Sequence, residues 1–193
     1  MQIDTLKLEE WYRQYHNPSY INISENSSEI QTLHQILQKC GYDLSSLENS
    51  AIDYAIGKIE EDCKILLSDL YHVNPENVLI CNGASEALFI AILHTIRTNS
   101  DMIIENPFYK KIDKLIRAFN SEIIQWDLIK NNSILIDIPM LNAIINKKTR
   151  SVLINHPHNP TGKSITNDQL MEIIEIATRY NANIISDEVT LPL

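Results

Sequence analysis

Short apolar runs alternate with longer amphipathic segments from residue 77 onward. The runs have the length of strands and are apolar at consecutive positions, which is typical of strands buried on both faces. They cover residues 78–81, 102–105, 123–126, 151–155 and 183–186. Helices are predicted near 85–97, 108–119, 139–147 and 166–180, the last opening with a capping box at Thr166 and Gln169. This alternation predicts an α/β fold with a mostly parallel sheet covered by helices.

The first fifty residues are more polar and rich in turn signals, which predicts an N-terminal helical arm and cap over residues 1–50. Within it, apolar residues from Leu33 to Cys40 fall at helical spacing, and Gly41 is a natural end for that helix. A longer apolar stripe over residues 52–70 predicts a second helix. This helix opens the predicted large domain, which spans residues 51–193.

Composition and charge exclude several classes of protein. The net charge of -9, from 16 basic and 25 acidic residues, argues against a nucleic-acid binder. The sequence has no signal-like N-terminus and no apolar stretch long enough to span a membrane. Its three cysteines are odd in number and lack Cys-x-x-Cys spacing, which predicts free thiols. We therefore expect a cytoplasmic protein that binds neither nucleic acid nor membrane.

Ligands of a parallel sheet bind in the loops at the carboxyl ends of its strands. The first predicted strand is followed by a turn with one glycine that leads directly into a helix, and Ser85 adds a hydroxyl group there. Backbone N–H groups at such a helix start attract an anion, and the alternative is an ordinary turn with Ser85 as N-cap. Tyr109, after the second predicted strand, either stacks on a planar ligand or packs against a helix start.

Two further loops carry candidate chemistry. Asn159 lies in a turn with two prolines, and the neighbouring His156 and His158 lack the nearby carboxylate that would favour a metal site. Asp187 ends an apolar strand, where a carboxylate needs a positive or hydrogen-bonding partner. An anion site, an aromatic face, a fixed amide and a carboxylate match a phosphorylated aromatic cofactor with a ring nitrogen, such as pyridoxal phosphate.

Four motifs in this order and spacing resemble those of the fold-type I, class I/II aminotransferases. They lie at residues 70–88, 106–109, 159–162 and 186–189, and residues 21–26 are similar to the N-terminal arm of histidinol-phosphate-aminotransferase-like members. The resemblance covers most of residues 20–193. It implies that the backbone of Ala84 and Ser85 holds the cofactor phosphate and that Tyr109 stacks on the pyridine ring. Asn159 would then hydrogen-bond the ring hydroxyl and Asp187 would pair with the ring nitrogen.

The sequence departs from the family pattern in two respects. Thr190 stands where the family frequently has a tyrosine, which removes one contact to the ring hydroxyl. The family's Schiff-base lysine lies beyond the position of Leu193, and Lys163, the nearest upstream lysine, has no catalytic role in the family. We therefore expect a truncated or split form with an incomplete sheet. Its segment 78–81 would lack a neighbouring strand, and segment 183–186 would form an edge.

The resemblance implies transfer of an amino group from an amino acid to a keto acid in the intact lineage. A C–S lyase of the same fold is the alternative chemistry, because residues 157–162 are also similar to that branch. A non-catalytic remnant that binds a partner is an alternative of a different class. The expected partners are an amino acid or keto acid, and either a second copy of the chain or a complementary C-terminal fragment.

Overall fold

A computed structural model describes residues 7–15, 19, 21, 31–49, 58–96 and 99–190. The chain divides into two compact units, one of residues 14–80 and the other of residues 1–13 together with 81–193. The predicted domain boundary after residue 50 lies outside the described residues, as does most of segment 21–26. That boundary therefore stays a prediction.

The first part of the chain is helical. Its elements are α1 (Lys7–Tyr15), α2 (Leu33–Lys39), α3 (Leu44–Glu48), α4 (Lys58–Tyr71) and a 3-10 turn at Pro75–Asn77. Helix α2 begins at a capping box formed by Thr32 and Gln35, and Gly41 follows it with a φ of 77°. A positive φ is easy for glycine, which explains why the predicted helix ends there. Helix α4 covers residues 58–70 of the helix predicted over 52–70, whose first residues are outside the described ranges.

The second unit contains a parallel sheet. Its elements are α5 (Ala84–Thr95), β1 (Asp101–Asn106), α6 (Lys110–Ala118), β2 (Glu122–Asp127), β3 (Ile129–Lys130), β4 (Ser133–Ile134), α7 (Ile138–Ile144), β5 (Thr149–Asn155), α8 (Asn167–Arg179) and β6 (Asn183–Asp187). Strands β2, β1, β5 and β6 lie side by side in that order, and each neighbouring pair is parallel. The predicted α/β class is confirmed.

The prediction of a strand at 78–81 is wrong. Val78 has extended backbone angles (φ -106°, ψ 126°), but residues 78–81 belong to neither of the described sheets, as expected for a segment that lacks a neighbouring strand. An apolar extended run becomes a strand only where a neighbour accepts and donates its backbone hydrogen bonds. As expected for the segment at 183–186, β6 forms an edge of the described sheet.

Helices cover both faces of the sheet. On one face, Ile103, Val152 and Ile154 pack in a cluster with Leu141 of α7 and Ile173 of α8. Alternate residues point to the opposite face. There Met102, Ile104, Leu153 and Ile185 pack with residues of α5 and α6. Among the described helices, none is long and apolar enough to cross a membrane.

Thr166→Ala should lower the free energy of unfolding by about 1 kcal/mol. The Thr166 hydroxyl accepts the Gln169 N–H at 3.2 Å, and the Gln169 side chain accepts the Thr166 N–H in return. Alanine leaves the Gln169 N–H at the start of α8 without its acceptor. Urea unfolding measures the change, with Ser164→Ala, an exposed residue just before the helix, as the control. Equal stabilities for the two variants would contradict the prediction.

Candidate functional site

The start of α5 presents two backbone donors. Gly83 is its N-cap with a φ of 84°, and no side chain caps the helix. Glu86 accepts hydrogen bonds from the backbone and the side chain of Asn82, which fixes the preceding loop. Ala84 and Ser85 are exposed, and their N–H groups donate to no acceptor within the described residues. With the helix dipole behind them, these amides can bind an anion.

Asn159 and Asp187 are brought together by a residue that the sequence analysis did not single out. Asn155, at the end of β5, lies opposite Asp187 in the sheet. Its Oδ1 accepts the Asn159 N–H at 2.6 Å, and its Nδ2 donates to the Asp187 carbonyl at 2.8 Å. One amide side chain therefore connects the two loops that carry the predicted ring contacts.

The carboxylate of Asp187 lies at the end of β6 and is half-buried. Two residues earlier on the same strand, Ile185 packs in the cluster with α5 and α6, so Asp187 is on the same sheet face as α5. Its Oδ1 accepts the Val189 N–H at 3.2 Å. The expectation that this strand-end carboxylate needs a partner is thus met in part by its own loop.

Tyr109 is the N-cap residue of α6 and is 46% exposed. The ammonium group of Lys111 lies 5.3 Å from the centre of its ring. The turn that carries Tyr109 is connected to the Asn159 turn by His158, which is 2% exposed. The His158 Nε2 lies 2.9 Å from the Pro107 carbonyl, and its Nδ1 lies 2.7 Å from the Thr161 hydroxyl.

The two partners of His158 define its tautomer. A carbonyl oxygen only accepts, so Nε2 carries the proton and Nδ1 accepts from the Thr161 hydroxyl. Burial lowers the pKa of His158, and the Pro107 carbonyl opposes this effect. The neutral ring therefore fits the site. In this structure His158 holds two loops together, a role that a histidine between prolines did not reveal in the sequence.

Glu105 is the third residue, after Asn155 and His158, whose role the sequence did not reveal. It is 1% exposed, its Oε2 accepts the Asn155 N–H at 2.7 Å, and its Oε1 has no partner among the described residues. Burial raises the pKa of Glu105 to about 7, and the Asn155 hydrogen bond acts in the opposite direction. A buried acid at a strand end is visible in the sequence only once the strand and its neighbours are known.

Thr190, the residue in place of the family's frequent tyrosine, contacts the Asn159 turn. Its hydroxyl donates to the Pro157 carbonyl at 2.7 Å. A separate cavity of about 410 Å³ lies where β5 and β6 begin, lined by His94, Thr95, Arg150, Asn181 and Asn183. None of the predicted site residues lines it. The polar groups described above lie at the other end of these strands, their carboxyl end. We take this end of the sheet as the candidate site.

Comparisons with known proteins identify the family of this chain. The family model for aminotransferases of class I and II matches residues 21–189. A probable aspartate aminotransferase of Methanocaldococcus jannaschii is 34% identical over 136 residues, which cover 69% of this chain and 36% of that protein. The chain thus spans about a third of the length of this relative. These matches confirm the predicted family.

Solved structures show the same fold. A PLP-dependent aminotransferase from Streptococcus suis superimposes with a TM-score of 0.85 at 27% identity, covering 98% of this chain and 52% of that chain. Cystalysin from Treponema denticola, whose structure contains pyridoxal 5'-phosphate, superimposes with a TM-score of 0.75 at 21% identity. That match covers 96% of this chain and 48% of cystalysin. Both superpositions show that this chain shares its fold with about half of each of those chains.

Glu105→Gln should be more stable than the unaltered chain, and this difference in the free energy of unfolding should grow as the pH rises from 4.5 to about 7. A carboxyl group whose pKa is raised by folding favours the folded state at low pH, and this stability is lost as the pH rises through the folded value. Glutamine carries no charge to bury. The shift from 4.5 to about 7 limits the relative gain to about 3 kcal/mol.

Urea unfolding at about pH 5 and about pH 8 measures this difference. Glu122→Gln, which removes an exposed carboxylate from β2, is the matched control and should show no comparable gain. A stability difference between Glu105→Gln and the unaltered chain that stays constant with pH would refute the assignment of a buried neutral acid.

Proposed function

We propose that this chain, which belongs to the class I and II aminotransferase family, binds pyridoxal phosphate at the carboxyl ends of its parallel strands, as part of an intact aminotransferase that transfers an amino group between an amino acid and a keto acid. The observation that carries the proposal is the open start of α5 on the same sheet face as Asp187. An anion site and a carboxylate on one face fit the two ends of this cofactor, its phosphate and its ring nitrogen.

The phosphate end fits the residues that are present. The N–H groups of Ala84 and Ser85 are exposed donors at a helix N-terminus, where a dianionic phosphate is stabilised by hydrogen bonds and by the helix dipole. The space beside Gly83 is open, since an added Cβ would meet no atom within 4 Å, and the φ of 84° disfavours other residues. We assign phosphate binding to the backbone of Ala84 and Ser85.

The ring end fits Tyr109, Asn159 and Asp187. Tyr109 offers an exposed aromatic face, Asn159 offers a side-chain amide, and Asp187 offers a carboxylate. When bound, pyridoxal phosphate supplies a ring that withdraws electrons from the α-carbon of an amino acid. Asp187 would hold the proton of the ring nitrogen, Asn159 would orient the ring hydroxyl, and Tyr109 would shield one ring face from water.

Asp187→Asn should weaken pyridoxal phosphate binding by about 10- to 100-fold, equivalent to about 1.5 to 3 kcal/mol, because a charge-assisted hydrogen bond is lost. Asparagine keeps an oxygen that can accept the Val189 N–H, so the local turn is preserved. Titration followed by cofactor absorbance measures the dissociation constants.

Glu188→Gln is the matched control for Asp187→Asn. It removes the same charge from the next residue and keeps an acceptor for the Ser186 hydroxyl. The control should bind the cofactor as tightly as the unaltered chain. If both variants bind with equal affinity, Asp187 is not part of the site.

We further propose that a second polypeptide pairs with the outer edge of β6. Within the described residues β6 pairs only with β5, and the free edge of a strand is a template for further pairing. A second copy of the chain or a complementary fragment fits this edge.

We place the protein in the cytoplasm, where its three cysteines, none of which forms a disulfide, stay reduced.

Sedimentation velocity at micromolar concentration should detect self-association of the chain. Asn183→Lys, which adds a charge to β6, should shift the distribution toward monomer because charged residues oppose edge pairing. Glu172→Lys on the exposed surface of α8 provides the control for an added lysine. A monomer with no concentration dependence would contradict association through β6.

A further inference from the structure

Asn155 is the residue on which the two predicted ring contacts converge. Its side-chain oxygen accepts the N–H of Asn159, and its side-chain nitrogen donates to the carbonyl of Asp187. The two bonds point to different loops, one after β5 and one at the end of β6. One planar amide group therefore links the Asn159 N–H directly to the Asp187 carbonyl.

The backbone of Asn155 is held as firmly as its side chain. Its N–H donates to the buried carboxyl of Glu105 on β1, and the next residue, His156, donates its N–H to the Asp187 carbonyl at 2.9 Å. The Asp187 carbonyl thus accepts two hydrogen bonds from the end of β5. These bonds leave the Asn155 side chain little freedom to shift without moving the sheet.

Asparagine meets the chemical demands of this position. The Asn155 side chain faces one donor, the Asn159 N–H, and one acceptor, the Asp187 carbonyl, and its amide group supplies a partner for each. Aspartate would keep the acceptor but place an oxygen against the Asp187 carbonyl. Alanine would supply neither group. The two hydrogen bonds also define which way the amide is oriented.

We infer that Asn155 is a positioning residue of the cofactor site. By holding the backbone of Asn159 and of Asp187, it fixes the spacing between the Asn159 side-chain amide and the Asp187 carboxylate. The inference rests on the proposed function, since it concerns the ring of bound pyridoxal phosphate. Asn155 itself acts through Asn159 and Asp187. Glu105 supports it by holding its backbone from the neighbouring strand.

The first test needs no cofactor. In Asn155→Ala the Asn159 N–H loses its acceptor, so its amide hydrogen exchange should accelerate by at least about tenfold. Asn155→Asp retains the acceptor and should leave this exchange close to that of the unaltered chain. Unchanged exchange at Asn159 in Asn155→Ala would overturn the geometry on which the inference depends.

The second test compares two ligands of the same chain. Inorganic phosphate needs only the start of α5, whereas pyridoxal phosphate needs the ring contacts as well. In Asn155→Ala and Asn155→Asp, affinity for pyridoxal phosphate should fall by at least about tenfold while affinity for inorganic phosphate stays unchanged. Asn142→Ala, which removes an exposed amide that bonds Arg179 between α7 and α8, is the matched control and should change neither affinity.

The outcomes separate the inference from the proposed function. If the unaltered chain fails to bind pyridoxal phosphate, the proposed function is overturned and this role for Asn155 with it. If the unaltered chain binds and both Asn155 variants bind equally well, the inference alone is overturned. A parallel loss of phosphate and cofactor binding would show a general disturbance of the fold, and would also reject a positioning role.

Discussion

The parallel pairing of β5 with β1 on one side and β6 on the other is the constraint on which the site depends. Parallel strands end at the same edge, and their interiors are buried under helices on both faces. Polar side chains are therefore confined to the last residues of each strand and to the loops that follow. The end of β5 is placed between the other two, so its loop can contact both.

Glu105 shows that the carboxyl end of the sheet is not optimised for stability alone. The pairing of β1 with β5 extends to Ile104 opposite Leu153, and beyond that point a buried carboxyl group accepts the Asn155 N–H. Burying this acid raises its pKa to about 7, so its charged form is disfavoured in the fold. Such local conflict with stability is common where a structure must hold functional groups in a defined position.

The sequence predicted the four paired strands and the helices between them because their apolar periodicity reflects burial directly. At 78–81 the apolar pattern is that of a strand, but this segment was expected to lack a neighbouring strand and belongs to neither of the described sheets. The hairpin of β3 and β4 was also missed. Its turn contains Asn131 and Asn132, which both have positive φ, a conformation that asparagine tolerates. The candidate residues Asn159 and Asp187 could be predicted from their place after strands, whereas Asn155, Glu105 and His158 depend on pairings between distant segments.

The buried ring of His158 has a consequence for how this sequence can vary. It lies between the Pro107 carbonyl and the Thr161 hydroxyl, so one neutral imidazole serves two turns that are about fifty residues apart in the chain. A change at position 161 that removes the hydroxyl leaves Nδ1 of a buried ring without its donor, and a change at position 158 leaves the hydroxyl without its acceptor. Positions 158 and 161 of this chain are therefore coupled through one hydrogen bond, so the effects on stability of changing each residue should not be additive.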